Sequence, residues 1–257
     1  MERIALISDV HGNIPALEAV LNDIHNRSIT RVFCLGDLVG KGPEPAASVD
    51  ICKNVCEKIT LGNWDAMLAD EGYPLPSYPP DILQIVNWHR RQLGGNRLRY
   101  LISLPGTIEF IMSGRNVRLF HASQVGIRYR VHYKDPIEKH LAMFDNTKFT
   151  GGGATPDVVG YADIHFAFQA SYGDRLLFNV GSVGNPLDKT LACYAVMQGE
   201  YVGENGASFS VEIIRVPYDI EESLRRAHQL SMPEIKEYEL ELRTARYRGL
   251  PPAKPAS

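Results

Sequence analysis

The chain has 257 residues, 44% of them hydrophobic and 22% charged, so it can bury a sizeable core and falls outside the disordered and fibrous classes. A formal charge of −3 without any Lys/Arg block excludes a surface built to grip a long polyanion, and the apolar runs are of strand length, too short to span a membrane. These features predict a cytoplasmic protein with one domain over 1–248, no membrane partner, and four cysteines (Cys34, Cys52, Cys56, Cys193) that pack as reduced thiols and ligate nothing.

Ile4 to Ser8 is a short apolar run that stops at Asp9-Val10-His11-Gly12-Asn13, and Ala16, Leu17, Val20, Leu21 and Ile24 follow at helical spacing. Arg31 to Leu35 repeats the scheme, ending at Gly36-Asp37 and leading through a Gly/Pro loop into a helix around Ala46 to Val55. Lys58 to Leu61 makes a third strand, which ends at Gly62-Asn63. Strands alternating with helices over such short connections predict an α/β fold with parallel strands and right-handed crossovers. The rhythm breaks from Ala66 to Pro105. There a Pro/Tyr-rich segment, Tyr73 to Pro80, precedes a helical pattern through Ile82, Ile85, Val86 and Leu93, which reads as a small helical cap inserted at about 66–105.

From Thr107 onward strands dominate: Ile108 to Met112, Val117 to Phe120, Val158 to Tyr161, Phe166 to Ser171, Leu176 to Val180, Leu191 to Met197 and Phe209 to Val216. A helix at Pro136 to Phe144 and a Gly151-Gly152-Gly153 loop lie among them. Asp219 with Glu222 three residues on has the form of a reciprocal helix cap, opening a helix through Leu224 and Ala227. A last charged helix spans about Pro233 to Arg246, and 249–257 reads as a frayed, disordered tail.

Polar clusters recur where strands end: Asp9 and His11, then Asp37, Asn63, His121, and finally Asp163 and His165. Open α/β sheets carry their sites just beyond the carboxyl ends of their strands. A lone Asp or His there is ordinarily a cap or turn residue, but five clusters in succession outweigh that reading. Carboxylates, imidazoles and an amide without sulfur suit a pair of divalent first-row ions, manganese first, with iron or zinc also fitting. A carboxylate at Asp37 is placed to bridge two ions ~3.5–4 Å apart, with the water between them made acidic enough to serve as a hydroxide nucleophile.

The order of these residues resembles the signature of the calcineurin-like metallophosphoesterases. Asp9-Val10-His11-Gly12-Asn13, Gly36-Asp37 leading to Gly42-Pro43, Gly62-Asn63-Trp64-Asp65 and Phe120-His121-Ala122-Ser123 carry the resemblance. Gly160-Tyr161-Ala162-Asp163-Ile164-His165 stands where that family has Gly-His-x-His, and the segment Asn179 to Pro186 is similar to its later Asn-Pro-Gly-Ser loop. The likeness runs from about residue 3 to 218 and is strongest to small bacterial phosphodiesterases, with Trp64 similar to the subgroup that includes asymmetrical diadenosine tetraphosphate hydrolases.

The resemblance implies a four-layer αββα sandwich of two mixed sheets with flanking helices. It implies Asp9, His11, Asp37 and His165 around one metal, and Asp37, Asn63, His121 and Asp163 around the other, with Asp37, Asn63 and His121 carrying catalysis. Asn13 matches a position near the bound phosphate.

Two positions depart from the family. Trp64 stands where many relatives have a histidine able to protonate the leaving oxygen, which implies a good leaving group or an acid from elsewhere; it either packs at the cap base or stacks on a nucleobase. Asp163 replaces the first histidine of Gly-His-x-His. A carboxylate remains a competent ligand for Mn²⁺ or Fe²⁺, while the alternative is a degenerate second site.

Arg128-Tyr129-Arg130-Val131-His132 alternates so that one side projects Arg128, Arg130 and His132, toward either a substrate phosphate or solvent. The expected substrate-binding residues are thus Asn13, Trp64, Arg128 and His132. The expected activity is hydrolysis of phosphodiester or phosphoanhydride bonds in a small, nucleotide-like phosphorylated substrate. A nuclease is the rival enzyme, set back by the mild acidity, and a non-catalytic metal-binding scaffold is the rival from another class.

Overall fold

Strand β1 (Glu2–Ile7) is the spine of the fold, and Ile4, Ala5, Leu6 and Ile7 are all fully buried. A strand covered on both faces reads as an unbroken apolar run, which is why this segment shows no alternation. The computed structural model describes residues 1–74, 80–203 and 206–248. The expected frayed tail, 249–257, and residues 75–79 of the Pro/Tyr-rich segment lie outside the described residues.

The described residues form two mixed five-stranded sheets. In the first, β1 pairs in parallel with β2 (Arg31–Cys34), and β2 with β3 (Lys58–Ile59). On the other side β1 runs antiparallel to β9 (Ala192–Gly199), and β9 to β10 (Ser210–Val216). Helices α1 (Ile14–Asn26) and α2 (Pro45–Val55) make the crossovers. The second sheet has the order β4 (Thr107–Met112), β5 (Arg115–Phe120), β6 (Val158–Tyr161), β8 (Arg175–Asn179), β7 (Phe168–Tyr172), with β5, β6 and β8 parallel.

Alternate residues assign the faces. Ile4 and Leu6, with Phe33, Ala195 and Met197, meet Ile108, Leu119, Val158 and Phe178 of the second sheet. Ala5, Ile7 and Cys34 point the other way, into a cluster with Leu17 and Val20 of α1 and Val49 and Cys52 of α2. On the far face of the second sheet, Val159, Tyr161 and Leu177 pack with Met143 and Phe144, which follow α5 (Ile137–Ala142). The result is the helix–sheet–sheet–helix sandwich implied by the sequence. No described helix is long and apolar enough to cross a membrane.

The stretch read as a cap contains α3 (Asn63–Ala69) and α4 (Pro80–Ile102), and α4 is broken at Gly94, whose φ of 67° is left-handed. Arg90 of α4 donates to the carbonyls of Met67 and Leu68, satisfying the open end of α3. Helix α3 begins at Asn63, the residue at which the third strand was expected to end. After β10 come α6 (Ile220–Gln229) and α7 (Ile235–Thr244). Asp219 caps α6 by accepting from the Glu222 N–H, but Glu222 turns outward to Arg225 and Arg226 and so does not return the bond expected of a reciprocal cap. Trp88 of α4 packs on the Leu224, Ala227 and Tyr238 cluster formed by α6 and α7.

Candidate metal centre

Where the strands stop, the backbone turns left-handed at the very residues that carry the chemistry. Asp9 (φ 50°), His11 (φ 50°), Asp37 (φ 52°), Asp163 (φ 62°) and His165 (φ 56°) all occupy this region. Such conformations cost on the order of 1 kcal/mol or more for a non-glycine residue, so the surroundings must impose them. The Asp9 N–H donates to the Gly36 carbonyl and the His11 N–H to the Asp37 carbonyl, each at 3.0 Å, lacing the loop after β1 to the loop after β2.

Asp65 holds that second loop. Its carboxylate, fully buried in the first turn of α3, accepts from the N–H groups of Asp37 (2.8 Å), Leu38 (3.0 Å), Val39 (3.3 Å) and Gly62 (3.1 Å). Burial pushes its carboxyl up to about 6 despite those donors. Sequence reasoning quoted Asp65 only as part of a motif and gave it no role. Gly62 is required beside it, because a Cβ there would stand 2.1 Å from Asp37 Oδ1.

Three buried imidazoles converge. His11 Nδ1 faces the Val39 carbonyl at 2.8 Å, His121 Nδ1 the Leu35 carbonyl at 2.7 Å, and His165 Nδ1 the Asn185 carbonyl. A carbonyl only accepts, so each Nδ1 carries its proton and each Nε2 is left to face inward, the arrangement in which imidazole binds metal. His11 Nε2 and His165 Nε2 stand 3.1 Å apart. Two facing lone pairs at that distance repel unless a cation lies between them, and ~3 Å is the separation expected of neighbouring ligands each ~2.1 Å from a first-row ion. Burial and the neighbouring His165 push the His11 imidazole well below its ordinary range, keeping it neutral and ready to ligate.

The acidic side of the cluster completes the test. Neither oxygen of fully buried Asp9 has a hydrogen-bond partner of acceptable geometry, although His165 Nε2 lies 3.2 Å from Oδ1. Burial favours its neutral form, but the imidazoles, His165 foremost, outweigh that and hold the carboxyl well below the usual range. An ionised carboxylate without donors is costly unless a cation compensates it. Asp37 gives Oδ1 to the Trp64 N–H at 2.8 Å and leaves Oδ2 between His121 Nε2 (3.5 Å) and His11 Nε2 (3.7 Å). Asn63 Oδ1 lies 3.2 Å from His121 Nε2. Among the described residues two groups have ligand atoms close enough to share an ion, Asp9 with His11 and His165, and Asp9 with Asp37 and His121. Asp9 therefore stands in both groups, whereas Asp37, expected to bridge, stands in one.

Residues 2–200 match the calcineurin-like phosphoesterase superfamily domain. The chain belongs to that superfamily. This calcineurin-like phosphoesterase is 30% identical over 236 residues to the uncharacterized protein MJ0912 of Methanocaldococcus jannaschii, covering 90% of this chain and 94% of the relative. A metallophosphoesterase from Sphaerobacter thermophilus superposes with a TM-score of 0.72 at 25% identity, over 95% of this chain and 99% of its own. Hypothetical protein PH1004 from Pyrococcus horikoshii shares the fold with a TM-score of 0.79 at 20% identity, over 97% and 99%. The protein is accordingly a hydrolase of the metal-dependent phosphoesterase type, and the Asp/His cluster is a set of groups able to hold divalent ions.

A cleft of about 510 Å³ opens over the phosphoesterase's cluster, with Asp37 in its floor and Trp64, Ile82, Ile85, Tyr133, Phe166 and Tyr247 among its walls. Trp64 is half-buried and its indole packs over Gly40, where a Cβ would fall 2.5 Å from the ring. His132 lines the cleft, as does Arg130. Arg128 does not; its guanidinium lies 4.0 Å over the Tyr73 ring. Asn13 is fully buried and engaged by the chain itself, donating to the Gly184 carbonyl and accepting from Ala16 N–H and Ser223 Oγ. Its place is the N-cap of α1, not the cleft wall.

Asp163, expected as a ligand, instead has both oxygens on Arg130, at 2.9 and 3.2 Å. Lys41 reaches the cleft with its ammonium bonded to Asn185 Oδ1 (2.9 Å) and Glu241 Oε2 (3.3 Å).

Proposed function

We propose that this phosphoesterase hydrolyses phosphodiester or phosphoanhydride bonds of a small nucleotide-like substrate, using two divalent ions held by Asp9, His11, Asp37, Asn63, His121 and His165. The observation that carries the reading is the convergence of three Nε2 atoms, each with its Nδ1–H bound to a carbonyl, on an Asp9 carboxylate that no donor satisfies. Divalent ions bound there supply electrophilic charge to a phosphate ester and acidify water at neutral pH. The chain fixes the donor atoms in advance through strained loops, so little reorganisation accompanies the reaction.

A nucleotide-like substrate is supported by the cleft, whose volume of about 510 Å³ lies within the ~300–1,000 Å³ range of small-molecule sites. Its aromatic walls offer faces to a base: Tyr133 and Phe166 stack with centroids 3.9 Å apart, and Trp64 and Tyr247 line the same space. Manganese is the ion we favour, since carboxylate and amide oxygens accompany the imidazoles, with iron or zinc as substitutes. Four unbridged cysteines support a reducing, cytoplasmic setting. The test is a panel of nucleotides and dinucleoside polyphosphates with Mn²⁺, Fe²⁺ or Zn²⁺. Hydrolysis of at least one substrate, dependent on added metal, is expected; metal uptake without turnover of any member would favour a scaffold.

A further inference from the structure

We propose that Arg130 is the phosphate-binding side chain of the cleft and that Asp163 is its positioning residue and not a ligand of the second ion. This rests on the phosphoesterase reading for the identity of the anion. Asp163 is 2% exposed and its two oxygens accept from Arg130 Nε and Nη2, a fork-to-fork pair that fixes the plane of the guanidinium. Among the described residues Asp163 belongs to neither ligand group of the centre, although its Oδ1 lies 3.8 Å from His121 Nε2.

Lys41, Arg130 and Arg248 border the cleft and differ in exposure. The Lys41 side chain is 9% exposed and tied to Glu241, and Arg248 is 18% exposed and tied to Glu241 and Glu234, so both serve the protein's own acids. Arg130 is 50% exposed and lines the same cleft as Asp37. Of its five N–H donors, two go to Asp163 and three remain for a ligand. A pre-oriented guanidinium beside the Asp/His cluster suits the oxygens of a phosphate or phosphodiester.

Asp163 therefore has two opposing effects on an anion: its negative charge repels, while its grip aims the donor. Substituting it should act on turnover more than on affinity. Asp163→Asn suits the test because asparagine tolerates the left-handed φ of 62° found there. Three measurements on metal-loaded protein decide the matter: metal content, the dissociation constant for inorganic phosphate, and turnover of bis(4-nitrophenyl) phosphate. Arg130→Gln should weaken phosphate binding by about tenfold with metal content unchanged, as expected for losing a charged bidentate donor. Asp163→Asn should lower kcat about tenfold while phosphate affinity moves less than about threefold, again with full metal content. The double variant should turn over no more slowly than Arg130→Gln alone, because Asp163 acts through Arg130.

Loss of an ion in Asp163→Asn, unchanged phosphate affinity in Arg130→Gln, or multiplying kcat losses in the double variant would each overturn the inference. If the wild type turns over no ester at all, the phosphoesterase reading fails by itself, and phosphate titration of wild type and Arg130→Gln still decides the role of Arg130.

Discussion

Without metal, His121 faces Asp37 at 3.5 Å and Asp163 at 3.8 Å, and Asn63 Oδ1 is ready to accept from Nε2. Burial alone would lower its pKa, but the carboxylates, Asp37 first, win and raise it to about 9. A raised imidazole favours the metal-free fold below its unfolded value of 6.5, and that stability is lost as the pH rises through 9. Metal needs the neutral ring, so it competes with that proton. Apparent affinity at the second position should rise about tenfold per pH unit between pH 7 and 9 and then flatten, as titration calorimetry at several pH values would record. A pH-independent affinity would mean that His121 does not bind metal.

Gly62 gives a second prediction at this scale. Gly62→Ala forces a methyl to within 2.1 Å of Asp37 Oδ1 and 2.2 Å of Asp37 N, backbone and side chain together. It should destabilise the protein by several kcal/mol, on the order of other overpacking changes, and reduce metal content. Thermal unfolding and metal analysis of the purified variant check both effects.

Among the elements, the strands were legible because their runs are apolar and end abruptly at polar residues; β6 and β9 are buried almost throughout, and β1 from Ile4 onward. Helix α3 was not legible, since its start at Asn63 depends on Asp65 gathering N–H donors from a loop 26 to 28 residues earlier in the chain. Arg128 and Arg130 could not be told apart by alternation. What separates them is tertiary: Tyr73 draws one guanidinium away and Asp163 holds the other at the cleft. Asn13 was expected near a bound phosphate; its buried capping bonds depend on Gly184 and Ser223, more than 170 residues distant in sequence, and could not be read from its own motif.

Helix α7 is tied to the site by Glu241, which is fully buried between Lys41, Asn185 and Arg248. Burial opposes its charge, yet Lys41 and Arg248 hold its carboxyl down at about 2, against an ordinary 4.5. A depressed acid stabilises the fold above 4.5 and loses that contribution as the pH falls through 2. At about 1.4 kcal/mol per unit the contribution is roughly 3 kcal/mol at neutral pH. Glu241→Gln should lose about that much at pH 7 and flatten the acid limb of the stability curve, measured by denaturant unfolding between pH 2 and 7.

At the scale of the whole molecule, the family match ends at residue 200, yet Glu234 and Ala245 to Arg248, on either side of α7, line the cleft, and Lys41 is tied to α7 through Glu241. The two sheets carry the Asp/His cluster at their strand ends, and the residues flanking α7, outside that match, border the cleft above it. The net charge of −3 supports a small substrate. Single-stranded DNA or RNA of some length should bind no more tightly than about 10⁻⁴ M at physiological salt, the weak end of non-specific binding. Fluorescence anisotropy with labelled oligonucleotides would show it, and micromolar binding would revive a nuclease.

The most direct test of the centre is metal stoichiometry in wild type and in Asp9→Asn, because Asp9 alone stands in both ligand groups. Asparagine keeps the size of the side chain and accepts the left-handed φ of 50°, so the comparison isolates the charge. Elemental analysis after saturation with Mn²⁺ and gel filtration should find about two ions per wild-type chain and fewer than about one in Asp9→Asn, with phosphodiester turnover lost in parallel. Equal metal content in the two proteins would contradict a centre built around Asp9.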